Sequence, residues 1–246
     1  MRYRGLLMVG VVAAIGCESV DSTNIDTAGI YAELSVTATG DGTSLVDATL
    51  LLGQGSANFL DLEGGDKISA WMILPGSDSS MIANMAESHF GGATWYTATF
   101  QTQGEDTEFG VNLDRSSSGH VSAPESYVTL PAPFVLSTAS GAASFSRADT
   151  EEFLVQWDPF AFAAGDVMTY EVTGSCIQTS TGGVGSADSL QLAQGFLLPY
   201  TNRESDSCPV TVTLQLTRSG VVDPAYGKGG YFRGIQERSM TLQCLP

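Results

Sequence analysis

The chain has 246 residues, 27 of them acidic and ten basic, for a formal net charge of −17, yet only 15% of it is charged and 28 residues are glycine. A surface this acidic excludes nucleic acid as a partner, because binding a polyanion needs clustered cations. Short aliphatic runs set among Gly, Ser and Thr exclude a disordered chain and suit an exported β protein.

At the N-terminus, Arg2 and Arg4 precede an unbroken apolar run, Leu6 to Ile15, and Ala14-Ile15-Gly16-Cys17 follows. This order predicts a signal peptide over 1–16. Ten residues of helix rise about 15 Å, half of a hydrocarbon core of about 30 Å, so the run reads as a leader and not as a resident span. The four residues ending in Cys17 resemble the lipobox of bacterial lipoproteins, with Ala14 where leucine is usual. That resemblance implies cleavage before Cys17, acylation of its thiol and a membrane partnership through several acyl chains, since a single chain holds only marginally. Glu18 stands where many Gram-negative lipoproteins retained at the inner membrane have aspartate, so the resemblance implies the outer membrane of a bacterial envelope. Residues 17–29 lack any apolar period and predict a flexible tether reaching about 20 Å.

Residues 30–136 predict an acidic β-sandwich domain. Ala32, Leu34, Val36 and Ala38 alternate with polar residues, Gly40 to Thr43 makes a turn, and Val46, Ala48, Leu50 and Leu52 alternate back, a hairpin pattern. Phe59–Leu62 with Lys67–Leu74, and Ala93–Thr102 with Glu108–Leu113, predict two more hairpins. Ser80 to Ser88 alone has spacing compatible with a short helix. Pro131 and Pro133 cannot sit in a central strand, so Leu130 to Phe134 predicts an extended crossover between halves. A charge step supports that boundary: residues 17–140 carry 16 acidic side chains against Lys67 and Arg115, whereas 141–246 carry 11 against six basic.

Residues 141–246 predict a second sandwich. Phe153, Val155 and Trp157 share one strand face, Met168, Tyr170 and Val172 another, and Val210, Val212, Leu214 and Leu216 a third. The sequence Phe153-x-Val155-x-Trp157-Asp158-Pro159 is similar to the early tryptophan strand of fibronectin type III and immunoglobulin-like modules, a resemblance confined to this half. The fold class expected is therefore all-β, with two tandem antiparallel β-sandwich (Ig-like) domains. As a whole the layout resembles exported bacterial lipoproteins, which implies a location and a fold but no activity.

With Cys17 assigned to lipid, Cys176, Cys208 and Cys244 remain. Strand parity lets all three face one core. Cys176 and Cys208, both at strand ends, are the expected disulfide pair, although Cys244 can take either partner instead. No cysteine or histidine spacing matches a zinc site.

The chain carries two histidines, His89 and His120, the latter two residues from Ser118, but no nucleophile elbow, phosphate loop or metalloprotease pattern. Glu105, Asp106 and Glu108 sit in a turn, where their expected role is to end a hairpin and not to form the carboxylate pair of a glycosidase. No catalytic residue, metal site or cofactor is assigned. The acidic turns holding Asp21, Asn24, Asp26, Asp41, Glu63 and Asp66 suit calcium better than catalysis. Trp95-Tyr96 and Tyr231-Phe232 each place one ring inward and one outward, which leaves Trp95 or Tyr96 and Tyr231 or Phe232 as contact candidates, the second pair beside Tyr226, the Gly227–Gly230 turn, Arg233 and Arg238. The expectation is a lipid-anchored envelope protein with a non-catalytic binding or structural role, meeting a protein or glycan through an edge strand or loop face. A calcium-assisted glycan module is the alternative and a hydrolase ranks last.

Overall fold

The computed structural model describes residues 19–139, 141–148, 153–158, 162–185 and 187–246. Cys17 and the expected signal peptide, residues 1–16, lie outside the described residues. The chain enters as β1 (Ser19–Asp21), passes through single 3-10 turns at Ser22–Asn24 and Thr27–Gly29, and continues into β2 (Ile30–Ala38). Antiparallel β3 (Ser44–Leu52) follows across a turn in which Gly40 and Gly42 both hold φ at 94°, a conformation that favours glycine. Their alternation buries Ile30, Ala32, Leu34, Val36 and Ala38 completely against Val46, Ala48 and Leu50.

The next strands are β4 (Phe59–Asp61), β5 (Lys67–Ile73), β6 (Ser80–Asn84), β7 (Ala86–Phe90), β8 (Ala93–Phe100), β9 (Glu108–Asp114) and β10 (Ala123–Thr129). They divide between two facing sheets. In one, β3 carries β2, β4 and β8, with β1 beyond β4 and β7 beyond β8; the other runs β10-β9-β5-β6. Met72, Phe109, Val111 and Leu113 from the second sheet fill the core under Leu34 and Leu50 from the first.

Three expectations fail here. The two later hairpins are arches, because β4 and β5 lie in different sheets, as do β8 and β9. Period-two alternation reports which side of a strand is buried and is silent on which strand lies beside it. Residues 80–88 form no helix. Of the apolar residues that gave the helical spacing, only Met85 is buried, where the chain steps from β6 in one sheet to β7 in the other. The flexible tether is also overturned over its described part. β1 pairs in parallel with β4, and Ser22 and Thr27 are buried beside Arg115, whose guanidinium donates to Ile25 O (2.8 Å), Thr27 Oγ1 (3.0 Å) and Ser22 O. A segment without apolar period is held by polar contacts, which hydrophobic patterning does not register.

Beyond Pro131 and Pro133 come β11 (Val135–Thr138), β12 (Ser144–Ser146), β13 (Phe153–Asp158), β14 (Val167–Gly174), β15 (Ser180–Gly183), β16 (Ser189–Leu192), β17 (Cys208–Ser219) and β18 (Tyr231–Leu245). A small sheet, β11-β13-β16, covers β14, β17 and β18. Trp157, 3% exposed, packs in a second core with Val155, Met168, Val172 and the fully buried row Val210, Val212, Leu214 and Leu216.

One sheet runs through both cores. β17 and β18 pair without interruption from Cys208↔Cys244 to Ser219↔Arg233, and the first six residues of β18 also pair in parallel with β2. Phe232 and Tyr226, from the second half of the chain, therefore complete the first core. Gly234 lets β10 lie against β18, since a Cβ there would lie 2.7 Å from Thr129 O. Buried Gln236 donates its side-chain amide to Gln103 O (2.9 Å) and Pro131 O (3.1 Å), while Arg218 reaches Asp166 (2.8 Å) and Asp106 (2.9 Å). The fold is all-β, its sheets largely antiparallel and packed face to face.

Candidate interaction surface

Among the described residues, β6 is hydrogen-bonded only to β5 and β7 only to β8, which leaves both as sheet edges. Buried Met85 connects them, its N–H bonded to Ile68 O (3.1 Å), so the two edges lie on one flank. Met81 is 50% exposed and Ile82 71%, and Phe90 at the end of β7 is 81% exposed. Residues 79–86 contain neither a charge nor a proline. Edge strands are commonly blunted by lysine, proline or a bulge, and β6 has none of these. Residues 17–140 carry 16 carboxylates against two cations, of which Arg115 is fully buried and Lys67, on the neighbouring β5, is exposed.

Two residues apart on β7, Glu87 and His89 share a strand face. His89 Nε2 lies 3.2 Å from Glu87 Oε1, and Nδ1 lies 3.0 Å from the hydroxyl of buried Thr94, which donates to Asp61 Oδ1 (2.5 Å). Beneath them the Tyr96 hydroxyl donates to Leu60 O (3.0 Å) and accepts from Leu62 N–H (3.0 Å). Burial pushes its pKa far above the ordinary tyrosine value, and the charges of Glu87, Asp61 and Glu63 add to that. Its neighbour Trp95 is half-exposed, so this pair divides inward and outward as the strand period requires.

The pair at the Gly227–Gly230 turn divides likewise. Phe232 is buried; Tyr231 is half-exposed, with the Arg233 guanidinium 4.1 Å over its ring. Burial, with the Glu33 carboxylate beside it, raises the Tyr231 pKa. A cavity of about 650 Å³ opens here, lined by Lys228, Tyr231, Arg233 and the glycine backbone. Arg238 turns away from it and donates to Ala38 O (2.9 Å). Tyr226 is buried, and its hydroxyl has no hydrogen-bond partner among the described residues.

The remaining candidates are drawn into the scaffold. Ser118 donates to Asp66 Oδ1, whereas His120 sits 3.2 Å from Asp26 Oδ1 and 3.0 Å from Thr23 O, so these sequence neighbours serve different bonds. Asp21 accepts from Thr23, Asp41 from Thr43, and Asp66 from Arg115, Ser22 and Ser118, which disperses the acidic turns over separate protein donors. Asp106, in the Glu105–Glu108 turn, is engaged by Arg218. Cys176 and Cys208 form a disulfide (Cα–Cα 5.8 Å), and Cys244 is a buried free thiol directly opposite Cys208. Sequence reasoning misses the role of Arg115 in the scaffold; its being one of two cations among 16 carboxylates is the only signal that points to it.

No protein-family model and no curated protein matches the chain. Among solved structures it is similar to the FN1–FN3 domains of chicken CNTN1, at 8% identity over 93% of this chain and 65% of that one, with a TM-score of 0.28. It is also similar to the Ig1–Ig3 ectodomain of mouse nectin-like molecule 4, at 9% identity over 89% of this chain and 65% of that one, with a TM-score of 0.26. The chain thus spans 65% of the length of each.

Proposed function

We propose that this is a lipid-anchored protein of a bacterial envelope that takes up an extended segment of a partner protein along β6, without catalysing a reaction on it. The anchor half of the reading rests on the basic, apolar, small-residue order that ends at Cys17. The binding half rests on one observation: β6 is an uncharged, unblunted sheet edge with Met81 and Ile82 turned to solvent. Strand addition there supplies main-chain hydrogen bonds for affinity, and exposed apolar side chains supply contact for alternate residues of the incoming strand. The acidic excess of residues 17–140 favours a segment that alternates apolar with basic residues.

An alternating Val/Lys peptide, added to the full chain, tests this by amide hydrogen exchange. The outward amides of Ser80–Asn84 gain protection, and Ile82→Lys removes the gain by placing a like charge against the peptide. Equal protection in wild type and variant, or none in either, defeats the reading. For the anchor, Cys17→Ala abolishes palmitate labelling and membrane association. A glycan is the second reading, favoured by the Tyr231 ring and its stacked Arg233 beside the Gly227–Gly230 cavity.

A further inference from the structure

The β7 edge carries a second arrangement that strand addition leaves unused. Asp61 on β4 and Glu87 and His89 on β7 each present a ligand atom, all within 4.8 Å of one another. They are 26 and 28 residues apart in sequence from Asp61, which is why no spacing motif reveals them; the pairing of β4 through β3 to β8, and of β8 to β7, brings them together.

Hydrogen-bond bookkeeping fixes how the imidazole is used. Thr94 is 1% exposed, and its one hydroxyl proton goes to Asp61 Oδ1, so toward His89 it acts as acceptor and Nδ1 must carry the hydrogen. The Nε2 lone pair then points at Glu87 Oε1, 3.2 Å away. With a single ring proton this sets lone pair against carboxylate, and either a second proton on Nε2, which makes the contact an ion pair, or a metal ion bound by both groups relieves the repulsion. Histidines that bind metal are held in this way, with the other ring N–H donated to a fixed acceptor. The surrounding field points the same direction. Asp21 stands opposite Asp61 in register, and the charge of Glu63 reaches the adjoining Tyr96, as do those of Asp61 and Glu87.

We propose that Asp61, Glu87 and His89 form a binding site for a divalent transition-metal ion of the zinc class, with Thr94 as the residue that positions His89. One imidazole and two carboxylates match the borderline preference of such ions and neutralise their charge. Calcium wants six to eight oxygens, and this site offers too few. Asp61 Oδ2 and both Glu87 oxygens remain available to a metal. An ion at roughly 2.0–2.2 Å from each ligand asks the exposed His89 and Glu87 side chains to close by little more than a rotamer adjustment. The His89 and Glu87 side chains are both open to solvent, and a cavity of about 370 Å³ lined by Tyr96, Asp66 and Lys67 adjoins Glu87.

The full chain, stripped with chelator and titrated with zinc by calorimetry, binds one equivalent at this site. His89→Ala weakens binding at least tenfold, whereas His120→Ala leaves it unchanged. Thr94→Val weakens it about tenfold and Thr94→Ser restores it, as expected of a group acting through the imidazole. Of the two histidine ring signals in the proton spectrum, zinc moves that of His89. The side chain is 58% exposed, so its removal leaves the fold intact. Wild-type affinity in His89→Ala, no uptake of zinc, or displacement of zinc by an equal concentration of calcium would each overturn the proposal. None of these readouts depends on the β6 edge, so Ile82→Lys, which breaks peptide uptake, leaves zinc binding as it was.

Discussion

Arg115 Nε lies 3.0 Å from Asp66 Oδ2, and neither side chain reaches solvent. The same guanidinium holds Ser22, Ile25 and Thr27, so one cation fastens the entering segment to the first core. Replacing such a pair by apolar residues can be neutral, but removing one partner leaves a buried charge uncompensated. Arg115→Ala is therefore expected to destabilise the protein by about 3–5 kcal/mol in urea unfolding. It also opens residues 19–29 to limited proteolysis. Unchanged stability with an unchanged digestion pattern would refute this role.

Acid sensitivity follows from the same site. Burial by itself pushes the Asp66 carboxyl up, but hydrogen bonds from Ser118, Arg115 and Ser22, with the Arg115 charge, outweigh it and hold the carboxyl below its ordinary value. A depressed folded pKa contributes stability that is present above the unfolded value, about 3.9, and is lost as pH falls through the folded one. The melting temperature of the wild type should thus fall on acidification below about pH 4. In Asp66→Asn/Arg115→Met the decline becomes shallower, and parallel curves for the two proteins would count against the assignment.

The disulfide closes a loop with a sequence separation of 32 residues. By chain entropy it stabilises the protein by roughly 3–4 kcal/mol, measurable as the difference between oxidised and reduced protein in denaturant. Burial raises the pKa of Cys244 against the opposing pull of Arg147, which keeps the thiol protonated and a poor nucleophile toward its neighbour. In Cys176→Ser, Cys208 loses its partner while remaining in register with Cys244. Non-reducing peptide mapping of that variant after oxidative refolding should yield a Cys208–Cys244 peptide. Two free thiols there would show that the register does not bring the sulfurs within reach.

Phe232 belongs to the second half of the sequence and is 1% exposed in the first core. Phe232→Ala should cost about 3–5 kcal/mol. Trp71 and Trp95 lie on strands of the first half and Trp157 in the second core, so single-tryptophan variants report on each separately. Both reporters are expected to shift together in Phe232→Ala. A shift confined to Trp71 and Trp95 would mean that the cores unfold independently.

Much of the architecture is legible in the sequence because alternation is a strong local signal. The first hairpin, the inward row Val210 to Leu216 and the proline crossover all sit where the pattern puts them. Neighbour relations are not legible: Asp61 and Glu87 meet through β3 and β8, and no local rule encodes that route. Nor does alternation reveal Arg115, whose polar partners Ser22, Thr27, Asp66 and Ser122 look like loop in a hydropathy profile yet form a buried anchor. The Tyr231 and Trp95 faces follow from strand parity alone, whereas the open edge at Ile82 requires knowing which strand ends a sheet.

The shared strand β18 decides how this protein can be taken apart. A recombinant piece ending at residue 136 would contain every strand of the first sandwich that precedes the crossover, yet its β2 would have lost the neighbour that pairs with Glu33 to Ala38. It would also lack Tyr226 and Phe232, the latter the partner of Leu34 in register, leaving a hole in the core and six residues of β2 bare along a sticky margin. Any shortened version therefore has to keep residues 221–236 with the first half, either by expressing the chain through to residue 246 or by grafting that ribbon back through a new connection.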